Sequence, residues 1–394
     1  MLFRSIVMAT CGCRGGRGTT CGRVDGGGGR GKTRGSMDGG AVGERRAGVW
    51  MAGRSGKSVR ACGWRVVNAG AQLARLVSMA LAIQADDVRA AAERIRPLAR
   101  RTPVMTSAGF DAEAGMRVAF KCENLQRAGA FKIRGASNLV LSLNGDALAR
   151  GVVAYSSGNH AQATAIAAKH VGVSATIVMP EDAPKSKMES TRSYGARIVT
   201  YNRFKDSREA IAQRILKETG ATLVPPFDHP MIMAGQGTAA LELLEETGPL
   251  DALIAPVGGG GLLAGCATIA KAMNPAMRIF GAEPVGGNDT YLSLQKGERV
   301  TIHPDTIADG LRAPKPGELT FPVLQQLAES IVLVTEDEIR AAVKFLLLRL
   351  KILAEPSGAV PVAAVLFHKL PPGIKSIGVV ISGGNVDFEE LAKY

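Results

Sequence analysis

Hydrophobic and polar positions fall into an ordered pattern only from about residue 79 onward. Val88, Ala91, Ala92, Ile95 and Leu98 recur at helical spacing and predict a helix over 84–99, with Pro103 marking the exit. Val118-Ala119-Phe120-Lys121 reads as a strand, and a helix is expected to begin near Phe131. Alternating units follow: strand 152–155, helix 160–171, strand 175–179, helix 185–194, strand 197–201, helix 206–218 and strand 221–224. A longer helix near 233–246 precedes strand 252–257, helix 262–273 and strand 278–282, and an irregular stretch runs to about 316. Strand 331–334 leads into Thr335-Glu336-Asp337-Glu338, a capping box followed by apolar Ile339, Ala342, Val343, Leu346, Leu347 and Leu350. Helix 357–369 and strand 376–381 close the series. Several of the strands are continuous apolar runs bounded by helices, the pattern of parallel strands covered on both faces. The expected fold is therefore α/β, with two open, mostly parallel twisted sheets and helices on both faces. A large domain is expected from 79–150 with 229–394, a small one from 151–228, and a cleft between them.

Residues 1–78 lack that pattern, and composition separates them further. They hold 14 basic side chains against 3 acidic ones, 19 of the 48 glycines, 4 of the 6 cysteines and both tryptophans, Trp50 and Trp64. Burial there could not offset the entropy of ordering, so a disordered Gly/Arg-rich extension is expected, with Met79 as an alternative start. A mitochondrial transit peptide is the second reading, since the segment is Arg-rich and acid-poor. It is Gly-rich rather than Ser-rich, however, and shows no amphipathic helix. The remaining 316 residues carry 34 basic and 32 acidic groups, so the net charge of +13 belongs to the extension and the body is nearly neutral. Nucleic-acid and membrane partners are accordingly not expected. No apolar run reaches membrane-spanning length.

Two apparent motifs in the extension dissolve on inspection. Gly26-Gly27-Gly28-Gly29-Arg30-Gly31-Lys32-Thr33 matches the Walker A pattern, yet no hydrophobic strand precedes it and no helix follows. Cys11, Cys13, Cys21 and Cys62 match no zinc spacing. Cys122 and Cys266, alone in the body, suggest a reducing compartment and a cytoplasmic location.

Candidate chemistry gathers at three strand-to-helix turns and one lysine. Strand 152–155 ends in Ser156-Ser157-Gly158-Asn159-His160, strand 252–257 runs into Gly258 to Gly261, and strand 376–381 runs into Ser382-Gly383-Gly384-Asn385. Open α/β sheets place ligands at such carboxyl ends of strands. Four glycines let backbone N–H groups approach a phosphate, assisted by the positive end of helix 262–273; a tight turn alone accounts for one or two of them. Ser156, Ser157 and His160 could cradle a substrate carboxylate at a helix start. Asn159 reads equally as an N-cap, and Ser382 equally as a turn residue. Lys132 in Phe131-Lys132-Ile133-Arg134-Gly135 would, near those helix N-termini, have a lowered pKa and could form an imine with a carbonyl cofactor. His170, His229, His303 and His368 are scattered and read as structural.

Gly129-Ala130-Phe131-Lys132-Ile133-Arg134-Gly135-Ala136 resembles the cofactor-lysine motif of the serine/threonine dehydratases, pyridoxal-phosphate (PLP) enzymes of the tryptophan-synthase-β-like fold. The three turns resemble the family's other signatures, in order, and the likeness covers 83–394. The resemblance implies that Lys132 carries the cofactor and that Phe131 packs on its ring. It implies further that Asn159 bonds the ring hydroxyl, Gly258, Gly259, Gly260 and Gly261 bind the phosphate, and Ser382 faces the pyridine nitrogen. A neutral serine there gives a moderate electron sink, which suits β-elimination. Ser156, Ser157, Gly158, Asn159 and His160 would hold the substrate carboxylate, and Ala234-Gly235-Gln236-Gly237-Thr238 would lie near the cofactor. The implied reaction removes the hydroxyl of L-threonine or L-serine, giving 2-oxobutanoate or pyruvate plus ammonia. Lys132 takes the Cα proton.

Within that family Ser157 resembles the serine that acts on the opposite face of Cα in serine racemases. Glu283, Gly287 and Asp289 resemble a divalent-cation loop for Mg²⁺ or Ca²⁺. Ala130 stands where many dehydratases have serine and resembles threo-3-hydroxyaspartate dehydratases. Serine racemase and hydroxyaspartate dehydratase are therefore the alternatives. The chain ends nine residues after Asn385, so no regulatory domain and no isoleucine inhibition are expected. The resemblance also implies a homodimer or homotetramer.

Overall fold

The computed structural model describes residues 81–183 and 185–394. The expected disordered extension, its Walker-like run and Met79 lie outside the described residues. Among the described residues, ten strands form two sheets. The larger takes β1 (Val104–Met105), β2 (Arg117–Cys122), β7 (Ala252–Pro256), β8 (Arg278–Pro284), β9 (Ser330–Val334) and β10 (Ser376–Ile381), in the order β1-β2-β10-β7-β8-β9. Its neighbours run parallel except β1 against β2. Every residue of β7 and β10 is buried, because helices cover both faces of these central strands. The smaller sheet takes β3 (Val152–Tyr155), β4 (Ala175–Pro180), β5 (Arg197–Tyr201) and β6 (Thr222–Leu223), all parallel, in the order β5-β4-β3-β6.

The helix Lys132–Val140 sits where the two sheets' cores meet. Ile133, Ala136, Leu139 and Val140 join Val152, Ala154 and Ile177 in one apolar cluster over the smaller sheet. On its other side the Gly135 backbone packs against the helix Pro230–Thr247 so closely that the Ile232 carbonyl stands 2.9 Å from where a Cβ would be. The first residue of this helix is Lys132, so the amine is carried at the junction.

Most elements follow the hydrophobic pattern, and the departures have local causes. The helix Pro230–Thr247 begins three residues earlier than the apolar pattern suggests, because Pro230 opens it and His229 Nδ1 accepts from the Met231 N–H at 3.1 Å. The capping box forms as read, with Thr335 Oγ1 and the Glu338 carboxylate each accepting a backbone N–H. The helix it starts, Glu336–Phe345, then widens into a π turn over Leu346–Leu350. That turn rotates the following side chains, leaving Leu347 half-buried and Leu348 62% exposed. Ala108–Ala114, Gly145–Ala149, Asp289–Lys296, Thr320–Leu327 and Phe388–Leu391 are helices the pattern does not reveal. Each has at most eight residues, too few turns for a 3.6 period to show.

Candidate active site

The turn before Lys132 is fastened to the end of β10. Ala130 bridges Gly383, the Phe131 N–H donates to the Ser382 carbonyl at 3.0 Å, and the Gly384 N–H donates to the Gly129 carbonyl at 2.9 Å. Lys132 Nζ donates to the Pro226 carbonyl at 2.8 Å and lies 5.0 Å from the centre of the Phe131 ring. Burial lowers its pKa to about 8, with Glu355 pulling the other way. At pH 7 about a tenth of such an amine is neutral, far more than of a free lysine, and the neutral form is the one that attacks a carbonyl or takes a proton.

Phe131, Lys132, the whole run Ser156 to His160, Gly258 to Gly261 and Ser382 line one cavity of about 400 Å³. It opens at the carboxyl ends of β3, β7 and β10. Gly260 has φ +91°, a left-handed conformation that favours glycine, and a Cβ on Gly259 would overlap the Phe227 ring. Both the turn and the close packing therefore require this loop to be free of side chains. Its backbone leads into the 13-residue helix Gly261–Met273, whose N-terminus lines the cavity and would favour an anion there.

His160 is placed differently from the expectation for its side chain. Nε2 pairs with the Val224 carbonyl at 2.8 Å, Nδ1 is buried without a partner, and burial drops the pKa to about 3. A neutral ring donating Nε2–H to Val224 leaves only a lone pair on Nδ1, which cannot donate to a carboxylate. The anion-binding capacity of this segment lies in the free backbone N–H groups at the start of the helix Asn159–His170 and in the Ser156 and Ser157 hydroxyls.

Glu355 and Arg208 are among the cavity residues that the sequence motifs do not single out. Glu355, 4% exposed, lines the cavity, and its carboxylate accepts from Asn159 Nδ2 at 2.8 and 3.2 Å. Arg208 lines the cavity wall with its guanidinium 5.2 Å from the Tyr155 ring centre, beside Glu209. Glu355 sits alone in a run of apolar residues before a proline, and a buried acid there is the signal that could have found it.

Residues 95–383 match the family described as pyridoxal-phosphate dependent enzyme. The chain belongs to that family. Among its relatives, the serine racemase of Schizosaccharomyces pombe is 46% identical over 310 residues, 78% of this chain and 96% of that one. The L-threo-3-hydroxyaspartate ammonia-lyase of Saccharomyces cerevisiae is 46% identical over 307 residues, 78% of this chain and 94% of the other. The crystal structure of serine racemase from Dictyostelium discoideum superposes with a TM-score of 0.75 at 44% identity, covering 78% of this chain and all of that one.

The residues of this PLP-dependent enzyme fit its cofactor. The cavity offers an enclosed amine of lowered basicity, a loop kept free of side chains at a helix N-terminus, and a buried serine hydroxyl at Ser382. A second, smaller feature lies outside that cavity wall. Glu283, at the end of β8, accepts from the Thr290 and Tyr291 N–H groups at 3.2 and 2.9 Å. Asp289 is fully buried with neither carboxylate oxygen partnered. Burial raises both carboxyls, Asp289 to about 7, and Asp289 raises Glu283 further. Gly287 is buried beside them in sequence, and among the described residues no three acidic, histidine or cysteine side chains are grouped so that they could hold a metal ion. Cys122 and Cys266 are free and buried, and no described helix is long and apolar enough to cross a membrane.

Proposed function

We propose that this enzyme eliminates the β-hydroxyl from 3-hydroxy-L-amino acids, releasing ammonia and a 2-oxo acid, with L-serine and L-threo-3-hydroxyaspartate favoured over L-threonine. The observation that carries the reading is the single cavity shared by the Lys132 amine, the glycine loop and the Ser156–His160 helix start. Bound pyridoxal phosphate supplies the electron sink that stabilises charge left at Cα when its proton departs. The chain's own residues supply the rest. Gly258 to Gly261 would hold the phosphate, Phe131 would flank the ring, Asn159 would meet its hydroxyl, and Ser382 would face its nitrogen. Backbone N–H groups at Asn159 and His160, with Ser156, Ser157 and Gly158, hold the substrate carboxylate. Lys132 would hold the cofactor and, as a free amine, would take the Cα proton. The proton it takes would serve the departing hydroxyl, which leaves as water, and the released enamine tautomerises and is hydrolysed by water to the 2-oxo acid and ammonia.

Two observations refine the substrate. Arg208 on the cavity wall gives a second carboxylate a partner that the methyl of threonine cannot use. Relatives named for serine and hydroxyaspartate chemistry share 46% identity with the chain. Ser157 on the same wall supports serine racemisation as a second activity, returning a proton to Cα from the face away from Lys132. Glu283, Asp289 and the Gly287 carbonyl form an oxygen set for Mg²⁺ or Ca²⁺, supported by the two unpartnered Asp289 oxygens. The two separate sheets support a division into 79–150 with 229–394 and 151–228.

The deciding experiment incubates the full chain with pyridoxal phosphate and each of the three amino acids at equal concentration, following 2-oxo acid release and D-serine formation. Fastest release from serine or hydroxyaspartate is expected. Turnover of threonine alone would overturn the substrate assignment, and inertness toward all three would overturn the elimination.

A further inference from the structure

Glu355 has the position of an N-cap but does not cap its helix. It precedes Pro356–Leu366, yet its side chain accepts no N–H from that helix. It does not serve a cation either. Lys187 gives its amine to Asp309 at 2.7 Å, and Lys132 gives its own to the Pro226 carbonyl at 2.8 Å. The carboxylate is instead held at the cavity floor, where a Cβ on Gly383 would be 2.5 Å from Oε1, with the Glu355 N–H tied to the Gly383 carbonyl at 3.0 Å. Its side-chain partner is the Asn159 amide.

That amide is gripped from its other end as well. Asn385 Nδ2 donates to Asn159 Oδ1 at 2.9 Å and to the Ala128 carbonyl at 2.6 Å. With Oδ1 taken by a donor and one N–H taken by a carboxylate, Asn159 has one orientation, and its remaining N–H is left for an acceptor in the cavity. We propose that Glu355 and Asn385 are positioning residues that clamp the Asn159 amide so that it presents a hydrogen-bond donor to the cofactor's ring oxygen.

This inference rests on the reading of the cavity as a pyridoxal-phosphate site with Asn159 at the ring hydroxyl. Burial lifts the Glu355 carboxyl to about 8, Asp309 adding to the rise while Lys187 and the Asn159 amide oppose it. A buried acid with no cation in contact is costly to keep, and a polar partner that sets orientation is a use that justifies it. A protonated carboxyl retains a carbonyl oxygen for Asn159 Nδ2, so the clamp does not depend on the charge.

The test compares cofactor retention and the visible absorption and circular dichroism of bound pyridoxal phosphate in the full-length wild type, Glu355→Ala, Glu355→Gln and Asn385→Ala. Glu355→Ala is expected to weaken retention about tenfold, the loss of one buried hydrogen bond, and to change the visible dichroism. Glu355→Gln, which keeps a carbonyl for Asn159 Nδ2, is expected to restore both. A purely structural role would lower thermal stability and leave the dichroism of bound cofactor alone, and that result overturns the clamp. Equal impairment of the Gln and Ala variants overturns it too, since only the charge would then matter. Should Glu355→Ala not fold, Asn385→Ala carries the test from the half-buried end, and an unchanged spectrum and retention there overturns the proposal. A wild type that takes up no pyridoxal phosphate sinks the site reading itself, which sets that failure apart from failure of the clamp.

Discussion

Two buried charge clusters in this chain are built in opposite ways. Around Arg134 everything is answered from within. Its guanidinium meets Glu123 at 2.7 and 2.8 Å and Glu242 at 2.7 and 2.7 Å, with Thr238 at 3.0 Å. Lys121 Nζ adds Glu242 at 2.6 Å and the Thr102 carbonyl at 2.7 Å, while Thr102 donates to Glu123. Two cations face two carboxylates, and Arg134, Lys121 and Glu123 are fully buried. Around Glu283 and Asp289 two carboxylates are equally buried, yet only backbone N–H groups answer Glu283 and nothing described answers Asp289. The first cluster neutralises itself and serves to join β2, the Lys132 helix and the Pro230–Thr247 helix. The second leaves charge that must be met by protons or by a cation from outside.

The largest effect follows from breaking the closed cluster. Arg134→Met leaves Glu123 and Glu242 with Lys121 as their remaining cation. Removing one partner of a buried pair costs about 3–5 kcal/mol, and denaturant unfolding should show a loss of that size. A loss under about 1 kcal/mol would mean that the carboxylates relax or protonate at little cost, and the contrast between the clusters would vanish.

The open cluster predicts a ligand effect instead. Mg²⁺ or Ca²⁺ at a hundredfold excess over its dissociation constant should stabilise the chain by about 2.7 kcal/mol, and chelation should lower Tm accordingly. Asp289→Asn should remove most of that response. An unchanged Tm after exhaustive chelation, in a protein whose bound-metal content has been measured as falling, would withdraw the cation assignment.

The two clusters also show what sequence can and cannot reveal. Glu283 and Asp289 lie six positions apart around glycines, so their acid character was readable locally. The closed cluster is assembled from 121–123, 134 and 238–242, and no spacing rule joins those segments before the fold does. The same holds in the cavity. Lys132, the four glycines and Ser382 each stand at the end of a strand or the start of a helix that periodicity had placed. Glu355 reaches the site only because β10 brings Gly383 beside it, and Arg208 because its helix follows the edge strand β5. His160 lines the cavity, but its ring is tied to the Val224 carbonyl, which lies 64 residues away. Short helices such as Asp289–Lys296 stayed hidden because one or two turns give no periodic signal.

Lys132 extends the comparison to a half-buried side chain whose amine has no acidic partner in contact, and it yields the smallest effect when read per unit of pH. Its amine titrates at about 8 in the fold against 10.5 in free lysine, because burial penalises the charged form more than Glu355 favours it. Between those two values the unfolded chain holds a proton that the folded apoprotein has released. Unfolding therefore takes up a proton in this window, and stability rises with pH from about 8 to about 10.5, by at most about 1.4 kcal/mol per unit. Below about 8 the amine is protonated in both states and the burial penalty is present in full. Lys132→Met removes the group, so apoprotein carrying it should be more stable than wild type at pH 7, and its stability should climb less steeply across the window. Urea midpoints for both proteins at pH 7, 8, 9 and 10 measure the difference in slope. Parallel curves would place the amine in a water-like setting, and the basis for its readiness to lose a proton near neutral pH would be gone.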